Sequence, residues 1–109
     1  MIEHGADINK ENEYGYTPLF EACKIGNEVI IKYLVEHGAD INKENNYGYT
    51  PLFEACKTGN EKVVKYLVEL GTDINKINGW GETLLFIACE SGNVIIVKYL
   101  IECGVKINK

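Results

Sequence analysis

Two histidines are the side chains best suited to proton transfer at neutral pH, because histidine changes its charge at about pH 6.5. They are His4 and His37, and each stands directly before a glycine. A nucleophilic site would also need a serine or cysteine for the imidazole to activate. However, the only serine is Ser91, and no cysteine adjoins either histidine. A cationic side chain near the end of a helix stabilises that end, and we expect this structural role for both histidines.

Four cysteines are the next candidates for chemistry. Cys23, Cys56 and Cys89 recur with a period of 33 residues, Cys103 lies elsewhere, and no pair has the close spacing of a zinc site. Equivalent helices in stacked copies should pack about 8–10 Å apart, whereas a disulfide needs Cα atoms within about 7 Å. We therefore expect four free thiols, of which the three in register are buried and fill helix contacts, and a reducing, cytoplasmic compartment.

The remaining acids and glycines follow the same period. Asp7, Asp40 and Asp73 recur as structural residues would, and no glycine stands in the pattern of a phosphate-binding loop. These patterns predict that the protein is not an enzyme and that it has no metal ion and no cofactor.

Charge and hydropathy also limit the partners. The chain has eleven lysines, no arginine and sixteen acids, and its net charge is −5. Phosphate backbones are bound mainly by clustered basic side chains, so nucleic acid is not an expected partner. No apolar run reaches the roughly 20 residues needed to span a bilayer, and the first residues do not resemble a secretory signal. We expect no membrane partner.

A repeat with a period of 33 residues organises the whole chain. The sequence YGYTPLFEACK occupies residues 14–24 and again residues 47–57, and a looser copy, WGETLLFIACE, occupies residues 80–90. A second motif, HGADINK, occupies residues 4–10 and 37–43, and weaker copies of it follow at residues 70–76 and 103–109. Periods of about 20–50 residues are typical of stacked repeats.

Each copy has the signals of two short helices followed by a turn. Thr17 can cap a first helix that begins at Pro18, and Gly26 can end it. Asn27 can then cap a second helix, and the following polar segment can turn back as a loop or hairpin. The apolar stripes of these helices are Leu19, Ala22 and Cys23 in the first helix and Ile30, Ile31, Leu34 and Val35 in the second.

Two short helices cannot bury their apolar faces alone, so the copies must stack on one another. We divide the chain, as one domain spanning residues 1–109, into a partial repeat at residues 1–11 and three repeats at residues 12–44, 45–77 and 78–109. The predicted fold class is all-α, a solenoid of helix–turn–helix units with short projecting hairpins, which we call fingers.

These motifs resemble the ankyrin repeat, whose core is written T-P-L-H-x-A. GYTPLFEA at residues 15–22 and 48–55 is similar to it, as is, more loosely, GETLLFIA at residues 81–88. The chain departs from the motif where Phe20, Phe53 and Phe86 replace the histidine and where Leu84 replaces the proline. We expect apolar packing at the three phenylalanines.

The resemblance implies a noncovalent scaffold that binds another protein through its concave face and finger tips. Aromatic side chains suit such recognition because they bring a large contact area with few torsions to freeze. The acids beside them favour a partner with basic or hydrogen-bond-donating groups around an apolar centre. The candidate binding residues are Glu13, Tyr14, Tyr16, Lys24, Asn46, Tyr47, Tyr49, Lys57, Trp80, Glu82 and Glu90.

Three other interpretations of the repeats remain open. The aromatic rings could serve only to stiffen the fingers by stacking on one another. The chain could be a fragment or an engineered model repeat protein without a specific ligand, or it could be a structural module that self-associates.

Self-association through the apolar ends of the stack is a prediction of the sequence. Met1 and Ile2 begin partway through a second helix, and Val94 stands where the other repeats have Glu28 and Glu61. Exposed apolar patches of this kind mark interfaces. We expect sedimentation to show weak association at high concentration; a strict monomer up to about millimolar protein would contradict this.

Overall fold

The computed structural model describes residues 7–104, and these residues form six α-helices in three pairs. The six helices are α1 (Pro18–Ile25), α2 (Glu28–Glu36), α3 (Pro51–Thr58), α4 (Glu61–Glu69), α5 (Leu84–Ser91) and α6 (Val94–Glu102). In this part of the chain the only β-type pairing is one isolated antiparallel bridge, between Ile77 and Thr83. The all-α prediction is therefore confirmed.

Capping residues define the helix boundaries as predicted. The Thr17 hydroxyl accepts a hydrogen bond from the backbone N–H of Phe20 at 3.3 Å, and α1 ends at Gly26 in the left-handed conformation. Asn27 caps α2 by accepting from the N–H of Ile30 at 3.1 Å. The other two repeats use the same devices, although Leu84 replaces proline at the first position of α5.

The first helices of the repeats form one closely packed row. Helices α1, α3 and α5 each pack on their neighbour in the row and on the second helix of their own repeat, whereas α2, α4 and α6 contact one another much less. An array that is tighter on one side curves toward that side. The structure is elongated, 46 × 26 × 20 Å, and the first helices lie along the inside of the curve.

Comparison of the three copies shows which positions face the next repeat. Phe20 and Phe53 are 2% and 0% exposed, whereas Phe86 is 48% exposed. The apolar packing expected at this position is therefore present in two of the three copies. Cys23 and Cys56 are buried, but Cys89 is exposed. The expectation that the three thiols in register are buried was wrong for Cys89, because no helix in residues 7–104 packs on that side of α5.

The opposite effect appears at the start of the stack. Ile30 is 48% exposed, although Val63 and Ile96 at the same position are 1% exposed. The prediction of a buried stripe in α2 was therefore wrong for Ile30, because this position faces the preceding repeat. Met1, Ile2 and His4, to which the sequence assigned end-packing and helix-end roles, lie outside the described residues.

Polar side chains also connect successive repeats. Asn60, which caps α4, donates through Nδ2 to the carbonyl of Gly26 at 3.5 Å, and Asn93 does the same with Gly59 at 3.3 Å. Ion pairs join Lys43 to Glu11 at 3.1 Å and Lys76 to Glu44. The structural role predicted for His37 is consistent with its ring, whose Nδ1 lies 2.8 Å from the carbonyl oxygen of Tyr33 at the end of α2.

The burial pattern predicts an order of thiol reactivity. All four cysteines are unpaired, as expected, and burial raises the pKa of both Cys23 and Cys56 to about 12. Because the thiolate is the reactive form, Cys89 should react with a disulfide reagent at least about tenfold faster than these two in the native protein. Stopped-flow labelling followed by peptide mapping measures the three rates.

A Cys89→Ser variant should lose the fast labelling at this position and keep the slow phases of Cys23 and Cys56. In denaturant without reductant, the wild-type chain should show four reactive thiols. Modification of Cys56 at the rate of Cys89 would contradict the packing of α3 between α1 and α5.

Candidate functional site

Each finger is built around one asparagine. In the second finger, residues 45–49, the Asn45 Oδ1 accepts hydrogen bonds from the backbone N–H groups of Tyr47 at 2.8 Å and Tyr49 at 3.0 Å. The N–H of Asn45 donates to the carbonyl of Tyr49 at 2.8 Å and closes the turn. Asn12 and Asn78 organise the first finger, residues 12–16, and the third finger, residues 78–82, in the same way.

These three asparagines were not among the candidate binding residues predicted from the sequence. Their signal was present, because an asparagine recurs three residues before the turn glycine in every copy, and asparagine side chains commonly bond to backbone groups two residues further on. Their side chains hold the backbone of the finger in place beneath the aromatic residues.

Neighbouring fingers are bonded to each other through their backbones. The N–H of Asn46 donates to the carbonyl of Tyr14 at 2.9 Å, and the N–H of Gly79 donates to the carbonyl of Tyr47 at 2.7 Å. The Asn46 Nδ2 also donates to the carbonyl of Glu13 at 3.0 Å. Asn46, a candidate binding residue, therefore uses its side-chain amide group to connect two fingers.

The contact between the second and third fingers leaves no room for side chains at its centre. A Cβ atom on Gly48, which has φ of +80°, would lie 2.5 Å from the nitrogen of Gly79. A Cβ atom on Gly79 would lie 2.7 Å from the carbonyl oxygen of Tyr47. The two glycines let the backbones approach, so the fingers form one continuous edge along the stack.

The aromatic residues on this edge form two clusters. Tyr14 and Tyr16 lie together at 6.3 Å between ring centroids, and Tyr16 stacks on Phe20 at 4.8 Å. The second cluster is Tyr47, Tyr49 and Trp80, which we call the Trp80 cluster.

Trp80 is the centre of its cluster. Its ring is nearly parallel to that of Tyr47 at 5.8 Å and perpendicular to that of Tyr49 at 6.1 Å. Trp80 is nevertheless 63% exposed, and Tyr47 is also exposed. The rings thus stack on one another, as one interpretation of the sequence expected, and they also leave a large apolar area open to solvent.

Charge changes sign along the same surface. The ammonium group of Lys24 lies 6.0 Å from the ring centroid of Tyr16, and that of Lys57 lies 5.5 Å from the ring centroid of Tyr49. The third repeat has Glu82 and Glu90 where the first two have tyrosine and lysine. The surface is thus aromatic and basic at the first two repeats and aromatic and acidic at the third.

The remaining predicted site residues lie on or beside this surface. Glu13, Lys24, Lys57 and Glu90 are exposed, and Tyr16, Tyr49 and Glu82 are partly buried. Glu82 accepts a hydrogen bond from the Asn78 Nδ2 at 2.8 Å. The predicted residues therefore share one face of the molecule, but in two groups rather than in one even row.

Two cavities open between the Trp80 cluster and the first helices. One, of about 220 Å³, which we call the Glu54 pocket, is lined by Tyr16, Asn45, Tyr47, Tyr49, Glu54, Lys57 and Trp80. The other, of about 320 Å³, is lined by Tyr49, Lys57, Ile87, Glu90 and Ser91. Tyr49 and Lys57 belong to both cavities, so these two side chains separate them.

Glu54 is the site residue that reasoning from the sequence missed. It is 7% exposed, and burial raises the pKa of its carboxyl group, against the opposing charges of Lys57 and Lys24. The signal was Ile87, an apolar residue at the same position of the third repeat, which marks this position as an inward-facing one. Burial also raises the pKa of Tyr49, and the negative charge of Glu82 contributes to that shift.

The arrangement suits noncovalent binding. Within residues 7–104 no three histidine, cysteine, aspartate or glutamate side chains come together as metal ligands would. None of the helices described is long and apolar enough to cross a membrane. What the surface does offer is exposed aromatic area, separated charges and two open cavities.

Comparison with protein families accounts for most of the chain. A family model described as Ankyrin repeats (3 copies) matches residues 1–78, and one described as Ankyrin repeat matches residues 80–109. No curated protein matches the chain.

The environment of Glu54 predicts how stability depends on pH. A raised pKa means that the folded state binds this proton more tightly than the unfolded state does. The contribution of Glu54 to the free energy of unfolding is therefore greatest below its ordinary pKa of 4.5 and decreases as the pH rises through the folded-state pKa. The free energy of unfolding of the Glu54→Gln variant should equal that of the wild type at about pH 4 and exceed it at about pH 7.

Urea unfolding at the two pH values measures this difference. Glu21→Gln is the matched control, because Glu21 occupies the same position of the first repeat but is only partly buried. A glutamine variant at residue 54 that is less stable than the wild type at neutral pH would show that the buried carboxylate is stabilising and would contradict the prediction.

Proposed function

The chain belongs to the ankyrin repeat family, whose members are generally protein–protein interaction modules, and on this premise we propose that it is a noncovalent scaffold for a protein partner. The partner would lie along the inside of the curve, against the finger tips and the ends of the first helices. Ankyrin repeat proteins are typically non-enzymatic scaffolds, and we propose the same for this chain.

The observation that carries the proposal is the exposed aromatic area of the Trp80 cluster. Trp80 and Tyr47 are exposed, and hydrogen bonds within the fingers hold the backbone of both residues in a fixed position. Large rings that are already ordered lose little conformational freedom on binding, and tryptophan and tyrosine are enriched among the residues that dominate interface energies. A surface of this kind is prepared for contact before a partner arrives.

The charges around the cluster favour a partner with basic or hydrogen-bond-donating groups around an apolar centre. Glu82, Glu90 and Glu13 belong to the face that we propose for binding, and the net charge of the chain is −5. Complementary charges raise association rates and exclude wrong partners more than they raise affinity. Selectivity at the third repeat would therefore be electrostatic.

The state of the thiols supports an intracellular setting for this interaction. All four cysteines are unpaired, and unpaired cysteines are typical of reducing compartments. We include a cytoplasmic location in the proposal on this ground.

Self-association is a second candidate function, favoured by one exposed face. Phe86, Val94 and Ile95 are large apolar side chains that are all exposed on α5 and α6. Burial of such side chains against another chain would be favourable.

Peptides selected from a displayed random library test the proposal. Tyr47→Ala or Trp80→Ala should weaken binding of the selected peptides by about tenfold or more, corresponding to about 1–2 kcal/mol, with little change in melting temperature. The matched control is Tyr33→Ala, which removes an exposed tyrosine from the second-helix row. Calorimetry measures the affinities and circular dichroism the melting temperatures.

The opposite pattern would refute the proposal. If alanine at Tyr47 and Trp80 lowers the melting temperature but leaves affinity intact, the rings only stiffen the fingers. If Tyr33→Ala is the variant that loses binding, the partner surface is the outer row of helices.

A further inference from the structure

The Glu54 pocket contains a carboxyl group in an unusual position. Glu54 lies on α3, beneath the rings of the Trp80 cluster, and only 7% of it is exposed. Buried charged groups are normally paired, because desolvation of an unpaired charge costs several kcal/mol or makes the group take up a proton. A buried carboxyl group that opens into a cleft and has a raised pKa is a candidate for function.

No basic side chain of the described part of the chain forms an ion pair with Glu54. The ion pairs within residues 7–104 join Lys43 to Glu11 and Lys76 to Glu44, both outside the pocket. Lys57 and Lys24 act on Glu54 only through their more distant charges. Within the described residues the Glu54 carboxylate therefore has no ion-pair partner, and it lines a pocket that a cation from another molecule could enter.

Three acids lie close enough to the pocket to act on one of its side chains. Glu54, Glu82 and Glu90 all raise the pKa of the Tyr49 hydroxyl, so all three act on the same small volume. Lys57 is the basic side chain that lines the pocket, and its ammonium group lies 5.5 Å from the centroid of the Tyr49 ring. A cation over this ring is thus already a feature of the free protein.

The walls of the pocket favour a flat cation over a compact one. Tyr47 and Trp80 line the pocket as a nearly parallel ring pair, and tyrosine and tryptophan rings attract cations. A guanidinium group is planar, stacks on aromatic rings, is weakly hydrated, and can donate two parallel hydrogen bonds to one carboxylate. An ammonium group is more strongly hydrated and does not stack. The chain itself contains no arginine, so the guanidinium group would come from another molecule.

We propose that the Glu54 pocket receives an arginine side chain of the protein partner, with the guanidinium group bonded to the Glu54 carboxylate and stacked against the Trp80 cluster. This inference rests on the proposed function, because it places an anchor residue of the partner on the same surface. Lys57 occupies the neighbouring space in the free protein and moves aside when the arginine enters. The arginine side chain then replaces one cation near Tyr49 by another and gives the buried carboxylate a direct partner.

The third repeat supplies the specificity of this pocket. Trp80, Glu82 and Glu90 stand where the second repeat has Tyr47, Tyr49 and Lys57. The corresponding space between the first two repeats adjoins Glu21, which is less buried than Glu54, and a finger carrying Tyr47 in place of Trp80. We therefore expect one strong arginine site and a weaker copy of it between the first two repeats, which serves as an internal control.

Binding of small probes to the intact chain tests the pocket directly. Trp80 is the only tryptophan, so its fluorescence and its indole N–H signal in NMR report on this site alone. The probes are N-acetyl-arginine amide, the citrulline analogue, which is neutral and nearly isosteric, and N-acetyl-lysine amide. We expect saturable binding of the arginine probe in the millimolar range and at least about fivefold weaker binding of the other two.

Substitutions then identify the groups responsible. Glu54→Gln should weaken binding of the arginine probe at least about tenfold, whereas Glu21→Gln should change it less than about twofold. Lys57→Met, which removes the competing charge, should strengthen binding. Equal binding of the citrulline and arginine probes, or equal losses in the Glu54→Gln and Glu21→Gln variants, would overturn the proposal. Equal binding of lysine and arginine would overturn the preference for a planar group.

The selected peptides separate this inference from the proposed function. Replacement of their arginines by citrulline should cost at least about tenfold in affinity if an arginine anchors them. If citrulline peptides bind as tightly as the originals but still depend on Tyr47 and Trp80, the arginine pocket is wrong and the scaffold function stands. If no selected peptide depends on Tyr47 or Trp80, the scaffold function fails, and binding of the arginine probe decides the pocket by itself.

Discussion

The packing of each repeat on the next is the constraint on which the structure depends. One pair of short helices leaves an apolar face on both sides, and these faces are covered only when copies stack in a constant register. Leu52, Phe53 and Val64 are fully buried because the third repeat packs on this side of the second. The same positions become exposed where a neighbour is lacking, as at Phe86. Burial is therefore a property of the stack rather than of the single repeat.

The register of the stack also determines where the fingers meet. The helices bring one finger beside the next, Asn45 and its equivalents fix the shape of each turn, and backbone hydrogen bonds join neighbouring turns. Trp80 can remain exposed because its position is held by these bonds and not by burial of its ring. A stable scaffold thereby carries a large apolar area in solvent, as a binding surface requires.

The Glu54 pocket arises at the one junction where the repeats differ in chemistry. The first two repeats are nearly identical on the inner face, whereas the third places Trp80, Glu82 and Glu90 beside Tyr49 and Glu54. A uniform array presents the same contacts at every step. A single altered repeat creates one site that differs from the others, and the proposed specificity of this chain depends on that difference.

The sequence by itself determined the features that depend on nearby residues, and the tertiary structure decided those that depend on neighbouring repeats. The caps at Thr17 and Asn27, the helix boundaries and the finger turns follow from contacts within a few residues, so they were predictable. The exposure of Cys89 and the connecting role of Asn46 were not. Each of these depends on what lies about 33 residues away in the chain, and only packing in three dimensions brings those residues into contact.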